Sequence, residues 1–360
     1  MSVFDLRDFD QHEQVSFFND PETGLKAIIA VHNTHLGPAL GGCRMWAYEN
    51  EEQAITDVLR LSRGMTYKAA ITGLPLGGGK SVIIGDARRD KTPELMRAMG
   101  RAVNALRGRY IVAEDVGMSV DDMVQISKET RHVLGLPSEN GSGGGDPSPV
   151  TAFGVYTGLK AAVKHRLNRD DIAGLRVAVQ GLGNVGYNLC KLLAADGVVL
   201  TVTDVHQDRV KTAIAELGAT AVPPENIYDA EVDVFAPCAL GGAINDGTIA
   251  RIKADVISGA ANNQLAEARH GDVLREKNVL YAPDYVINAG GLIAVHYEYR
   301  ARSAGETYDR DAVMAHVARI AETVESVFQR AAQEAVSTAV AADRIAEQRF
   351  GRAPAASQAA

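Results

Sequence analysis

At 360 residues the chain is longer than one hydrophobic core usually organises, so two domains are expected. Its 46% apolar and 23% charged residues are ordinary for a globular protein, and a formal charge of −8 speaks against a nucleic-acid surface. Three widely spaced cysteines (Cys43, Cys190, Cys238), with no CxxC or Cys/His pattern, speak against a disulfide framework and against a structural metal site.

The opening MSVFDLRDFD is acidic and lacks the apolar region of a signal peptide, and no segment approaches the roughly 20 apolar residues of a membrane span. A reduced, cytoplasmic protein is the expectation. Residues 25–32 (LKAIIAVH) alternate as a strand, and Ala54, Val58, Leu59 and Leu61 carry helical spacing over 51–63. A short apolar strand follows at 81–85. Thr92 as N-cap with Pro93 behind it opens a helix to about Leu106. YIVAED (110–115) reads as a strand and 119–130 as a helix. The Gly/Ser/Pro-rich stretch 138–149 reads as a loop or hinge, and a helix over about 151–166 follows.

From residue 175 the pattern becomes regular. LRVAVQ is a strand, 184–195 a helix, 199–204 a strand and 207–217 a helix. Strands are expected at 232–236, 254–258 and 279–282. Such alternation predicts a parallel sheet with helices on both faces. Helical stretches at about 308–333 and 335–349 precede a small, polar tail. The expected class is α/β in two domains. The first spans 1–140, with helices from about 330–360 returning to it. The second, 150–330, is a doubly wound Rossmann-type domain.

Gly181, Gly183 and Gly186 form G-x-G-x-x-G between a buried strand and a helix, so Asn184 and Val185 open that helix at the site. Glycines permit a tight turn and close backbone approach, and the amides of the helix N-terminus face a pyrophosphate. The next strand ends at Asp204, about 20 residues on, where a carboxylate accepts the adenosine ribose hydroxyls and repels a 2′-phosphate. That favours NAD over NADP. Arg209 nearby either softens the rule or is a solvated helix residue.

GLPLGGGKS (73–81) resembles a P-loop but has Leu74 where the motif needs glycine, and a strand follows where the motif needs a helix. The glycine-flanked Lys80, Lys68 twelve residues earlier and Asp115 at a strand end admit two readings. They are two surface lysines and a helix cap, or they share a site. In a site, mutual repulsion and burial would tune one lysine toward a base, and the other would hold a carboxylate.

The segments GPALGGCRMW, GMTYKAAITGLPLGGGKSVIIGD, AEDVGMSVDDM, SPVTAFGVY, VAVQGLGNVG, FAPCALGG, NNQL and YAPDYVINAGG occur in order over residues 25 to 295. Together they resemble the Glu/Leu/Phe/Val dehydrogenase family, closest to its leucine dehydrogenase branch. The resemblance implies an NAD-dependent amino-acid dehydrogenase that is a homo-oligomer, an octamer or a dimer. Lys68 matches the lysine that pairs with the substrate carboxylate, Lys80 the base that activates water, and Asp115 the carboxylate that relays protons at the amino group. Thr151 and Asn262 match residues near the nicotinamide, with Asn262 also near substrate. Cys238 and Ala239 fall at the cofactor, and the backbone of Gly41 and Gly42 beside the substrate. The implied course is hydride loss from Cα to NAD, attack of water on the iminium, and release of ammonia and a 2-oxo acid. The chain departs from the leucine pattern at Gly186, where Ala is common, and at Cys43, where Thr is common.

Family positions that meet the substrate side chain correspond to Leu40, Ala113, Leu292 and Val295, all apolar. A glutamate carboxylate unpaired there would cost several kcal/mol. Leucine, valine or isoleucine is therefore the expected substrate, with phenylalanine as the alternative. Two other classes stay open: a hydroxy-acid dehydrogenase, for which His270 is the nearest histidine and reads as a helix-surface residue, and a non-catalytic NAD-binding protein.

Overall fold

The structure, a computed structural model, describes residues 2–137 and 145–352. It divides the chain into two units, each built on its own sheet. Residues 138–144 of the stretch read as a hinge lie outside the described residues.

The first unit takes its described residues from Met1–Gly145, Val295–Tyr308 and Ala346–Ala360. Its elements run β1 (Gln14–Asp20), β2 (Leu25–Asn33), β3 (Ala39–Trp46), α1 (Glu51–Ile71), β4 (Gly77–Ile84), α2 (Pro93–Ala105), β5 (Tyr110–Glu114) and α3 (Val120–Ser127). The sheet order is β1-β2-β4-β3-β5, with β2 antiparallel to both its neighbours and the rest running one way. Side-chain alternation sends Ile29, Cys43, Ile83 and Val112 to one face, against Met96, Met99 and Ile126. Ile28, Ala30 and Val82 go to the other face, against Ala54, Val58 and Leu59 of α1. The helix starts follow local chemistry. Asn50 caps α1, Thr92 with Pro93 caps α2, and Ser119 forms a capping box with Asp122 on α3.

Helix α1 runs to Ile71, well past the predicted 63. Its last turns bury Thr66, Tyr67, Ala69, Ala70 and Ile71, and a helix buried around much of its girth loses the amphipathic period. Strands β1 and β3 have no counterpart among the predicted elements. β1 lies at the sheet edge and buries little, while β3 carries two glycines that lower strand propensity.

The end of the chain is tied to α1. Arg349 donates to the carbonyls of Ala70 and Ile71, meeting acceptors that a helix C-terminus leaves open. Tyr67 donates to Glu347 at 2.7 Å, and Phe350 packs edge-on against the Tyr67 ring. Asp10 joins Arg63 at 2.8 Å and Arg352 at 2.7 Å, with His32 Nε2 at 3.4 Å. His12 beside them meets Ser62 Oγ at 2.9 Å and the Leu59 carbonyl at 3.1 Å.

The second unit comprises Asp146–Ala294 and Asp309–Ile345. In order come α4 (Ser148–Leu167), β6 (Arg176–Gln180), α5 (Asn184–Ala195), β7 (Val199–Thr203), α6 (Gln207–Leu217), β8 (Thr220–Ala221), β9 (Val234–Pro237), β10 (Val256–Ile257), α7 (Arg269–Glu276), β11 (Leu280–Tyr281), α8 (Asp284–Ile287), α9 (Gly290–Ala304), α10 (Arg310–Ala318), α11 (Ile320–Glu334) and α12 (Thr338–Arg349). The sheet is parallel throughout, in the order β8-β7-β6-β9-β10-β11. That is the 3-2-1-4-5-6 order of doubly wound dinucleotide-binding folds.

The predicted stretch at about 308–333 is two helices, α10 and α11. Both stay with the second unit, whereas α9 passes into the first at Val295 and, after Tyr308, the chain counts with the first again only from Ala346. The cause is packing on α4: Gly154 and Gly158 leave room for Val317, Ile320 and Ile287 against that helix. No described helix is long and apolar enough to cross a membrane.

Two predictions follow from this packing. A Cβ on Gly78 would lie 2.0 Å from the Thr66 backbone nitrogen, whereas Gly64 inside α1 has nothing within 4 Å. Gly78→Ala lowers the thermal midpoint, with a cost of about 1–3 kcal/mol or more, and Gly64→Ala raises it, by about 0.5–1 kcal/mol. Calorimetry checks both. Burial, reinforced by His32, holds the His12 imidazole down at about 4. A base with a depressed folded pKa gives stability that is whole above the unfolded value and is lost as protons bind the unfolded chain. The midpoint therefore falls as pH drops from about 6.5 to 4, and His12→Asn flattens that part of the profile.

Candidate active site

Strand β4 sends Gly79, Ser81 and Ile83 toward α2 and α3, and Gly78, Lys80 and Val82 toward α1. By the same alternation Leu40, Gly42 and Arg44 of β3 and Ala113 of β5 share the Lys80 face, with Gly42 in register with Ala113. Lys80 is 6% exposed, and its Nζ lies 2.5 Å from Oδ2 of Asp115, just past the end of β5. A Cβ on Gly42 would stand 2.6 Å from the Asp115 Cβ and 3.2 Å from Lys80 Nζ, so glycine leaves the space in which the two side chains meet. Burial pushes the Asp115 carboxyl up, but Lys80 and Arg44 outweigh it and hold the group below its ordinary value. At neutral pH Asp115 is a carboxylate.

The glycine run before Lys80 has a structural cause. A Cβ on Gly78 would enter α1 at Thr66, and one on Gly79 would stand 2.7 Å from the Tyr110 ring on the opposite face. The strand is thin because helix and tyrosine close on it from both sides. Tyr110, fully buried, donates to the Gly41 carbonyl at 2.8 Å and meets Ser81 Oγ at 3.0 Å. It thereby links the backbone of β3 to the Ser81 side chain of β4, on the face opposite the lysine.

Lys68 lies in the last turn of α1, half-buried, on the helix that packs against β4. Leu40 is buried, and Ala113 and Val295 are half-buried in the same unit. Leu292 is buried in the second unit. Sequence reasoning missed Arg44, Asp57 and Tyr48. Arg44 reaches Asp115 at 3.2 Å and Asp57 at 2.9 Å, and Tyr48 donates to Asp57 at 2.6 Å. The available signal was an arginine in the apolar strand ALGGCRMW, two residues from Gly42 and so on the same face.

In the second unit the glycine turn follows β6. Gly181 has φ +99°, and a Cβ there would meet Ala239 at 2.8 Å. Gly186 packs against the Gly181 carbonyl, where a Cβ would lie 2.1 Å away. Gly183 has nothing within 4 Å and is the N-cap of α5, with no side chain bonded to the helix start at Asn184 and Val185. An open side and an uncapped helix N-terminus fit a pyrophosphate. Asp204 follows β7 and is almost buried, accepting from the Leu182 amide at 2.6 Å and the His206 amide at 2.8 Å. Arg209, half exposed, lies 3.7 Å from the Asp204 carboxylate.

Cys238 and Ala239 follow β9, next to the turn. Burial pushes the Cys238 thiol up to about 12, so it is no nucleophile. Asn262 accepts from the Asn288 amide at 2.7 Å, and Thr151 donates to the Pro147 carbonyl at 3.0 Å.

His270 is not on a helix surface. It is 1% exposed, with Nε2 3.2 Å from Asp246 and Nδ1 accepting from the Glu267 amide. The α7 periodicity hid this, because the ring turns under its own helix start. Among the described residues Asp246, Glu267 and His270 converge as metal-type ligands. Arg269, however, pairs with both carboxylates and already supplies the positive charge.

Family models match both parts of the chain. The Glu/Leu/Phe/Val dehydrogenase dimerisation domain matches residues 12–132, and the Glutamate/Leucine/Phenylalanine/Valine dehydrogenase model matches 141–208 and 198–357. The chain belongs to the Glu/Leu/Phe/Val dehydrogenase family. Among family members it is 53% identical to leucine dehydrogenase of Geobacillus stearothermophilus over 97% of this chain and 94% of that one. It is 49% identical to phenylalanine dehydrogenase of Caldalkalibacillus thermarum, over 97% and 94%. The crystal structure of L-tryptophan dehydrogenase from Nostoc punctiforme superposes with a TM-score of 0.81 at 46% identity, covering 94% of this chain and 96% of that one.

For this dehydrogenase fold the Gly42 contact generates a prediction. Gly42→Ala separates Lys80 from Asp115 and lowers turnover by about 100-fold or more. Limited proteolysis and melting of the second unit stay as in the wild type.

Proposed function

We propose that the protein catalyses oxidative deamination of an apolar L-amino acid, with NAD as acceptor, to the 2-oxo acid and ammonia. The observation that carries this is the largely buried Lys80–Asp115 pair beside the Gly41–Gly42 backbone. Removal of an amino group needs one group that moves protons at the nitrogen and another that takes a proton from water, and a carboxylate beside a lysine can supply the two. NAD, when bound, supplies the acceptor for the hydride from Cα.

The chain's own residues do the rest. Lys68 pairs with the substrate carboxylate. Asp115 starts as a carboxylate and so first accepts a proton from the substrate ammonium. Lys80 first releases its ammonium proton to solvent and, as the neutral amine, takes a proton from the water that adds to the imino carbon. The C–N bond then breaks as Asp115 returns its proton to the departing nitrogen, the hydroxyl left by the added water gives up its proton to solvent as the carbonyl forms, and ammonia leaves. Asn262 and Thr151 border the nicotinamide, and the Gly41 and Gly42 backbone lies beside the substrate.

The family positions that meet the substrate side chain are Leu40, Ala113 and Val295 in the first unit and Leu292 in the second, and their apolar character favours leucine, valine or isoleucine. Phenylalanine is the second reading. Relatives named for phenylalanine and tryptophan stand within a few per cent identity of the leucine enzymes, and one or two methylenes discriminate by only about 1–3 kcal/mol. Gly181, Gly183, Asn184, Val185, Gly186, Cys238 and Ala239 cradle the dinucleotide. Asp204 selects NAD, with Arg209 drawn toward that carboxylate and not set to receive a 2′-phosphate. The match of 12–132 to a dimerisation domain supports self-association into a homo-oligomer, and a cytoplasmic location fits the free cysteines.

The test is NADH formation with a panel of L-amino acids at alkaline pH, repeated with NADP. Turnover with the branched aliphatics and little with glutamate is the expected result. No turnover with any amino acid would sink the reading. Lys80→Ala abolishes turnover and leaves the dissociation constant for NAD, read by NADH fluorescence, within about twofold of wild type.

A further inference from the structure

Asp115 does not face Lys80 alone. Arg44 Nε donates to Asp115 Oδ2 at 3.2 Å, the same oxygen that receives Lys80 Nζ. The far end of the guanidinium is fixed too. Nη1 reaches the two Asp57 oxygens at 2.9 and 3.2 Å, and the Tyr48 hydroxyl donates to Asp57 Oδ2 at 2.6 Å. Asp57 stands on α1 and Arg44 on β3, so helix and strand grip one guanidinium between two carboxylates. All three charged side chains are about three-quarters buried, which takes the pair out of the class of surface ion pairs that contribute little.

Geometry gives the two cations different tasks. A lysine ammonium is a point charge on a flexible stem and sets no direction for its partner. A guanidinium is planar and, anchored at Asp57, presents Nε from a fixed place. Asp115 lies past the end of β5, outside the strand pairing that would orient its backbone. The groups that face it are Lys80 from β4, Arg44 from β3 with Asp57 of α1 behind it, and its neighbour Glu114.

We propose that Arg44, backed by Asp57 and Tyr48, is a positioning residue of this enzyme that keeps Asp115 Oδ2 on Lys80 while protons pass to and from the substrate nitrogen. The inference rests on the proton-relay reading of Asp115 given above. It is supported by the direction of the Asp115 shift, in which Arg44 and Lys80 together overcome burial.

Steady-state kinetics on Arg44→Gln, Arg44→Lys and Asp57→Asn, with the best amino acid and NAD, test it. Arg44→Gln lowers kcat by about ten- to a hundred-fold, leaves KM for NAD within about twofold, and raises the solvent deuterium effect on kcat as proton transfer becomes limiting. Arg44→Lys recovers at least about threefold of that loss, and Asp57→Asn gives a smaller fall in the same direction. Thermal midpoints show whether each variant is folded, and Asp57→Asn carries the test if Arg44→Gln is not. An active wild type whose folded variants keep kcat within about twofold, or lose it with an unchanged solvent effect, overturns this inference alone. A wild type without amino-acid turnover overturns the proposed function and this inference with it.

Discussion

The contact between Lys80 and Asp115 is the constraint to which the first unit is built. Taking two charges largely out of water costs several kcal/mol per ion, and their attraction at best offsets that cost. Such a pair adds little to stability and is maintained by the packing around it. Gly42 is glycine because the pair occupies the space its side chain would fill. Gly78 and Gly79 are glycines because α1 and Tyr110 press on the strand that carries the lysine. Arg44 brings a second cation to the same carboxylate oxygen, and α1 holds that arginine through Asp57. Two cations against one carboxylate keep Asp115 ionised despite its burial.

The helix α1 links this pair to the end of the chain. It carries Asp57 near its start and Lys68 in its last turn, and its final carbonyls are met by Arg349. Tyr67, one residue before Lys68, is held by Glu347 and Phe350. The C-terminal residues thus determine where the last turn of α1 sits. His12, His32 and Asp10 pack into the same region and make its stability depend on pH, through an imidazole that stays neutral when folded.

The second unit follows a different logic, written in its backbone. Its parallel strands leave their C-terminal ends open at the point where strand order reverses, and the glycine turn sits there. Gly181 and Gly186 bring the turn and helix α5 within contact of each other, while Gly183 stays open on its free side. Asp204 organises the turn through the Leu182 amide, so this carboxylate ties the end of β7 to the turn after β6.

Much of this was legible in the sequence wherever a local rule decides the outcome. The glycine turn, the strands around it, the limits of α5 and α6, the cap at Thr92 and the apolar residues at positions 40, 113, 292 and 295 all depend on neighbours in the chain or on spacing. The ordered family motifs likewise singled out Lys80 and Asp115, which the fold brings into contact. What required the tertiary structure is what depends on residues distant in the chain. Strand β3 exists because sheet neighbours on both sides pair a glycine-rich segment that has little strand propensity of its own. Helix α1 is long because burial around its last turns replaces the amphipathic period. His270 is buried under its own helix start, and Arg44, Asp57 and Asp115 meet although 13 and 71 residues separate Arg44 from its two partners. Periodicity records which face a residue occupies. It carries no record of which other side chain the fold brings to that face, and on that depends the charge partner of Asp115.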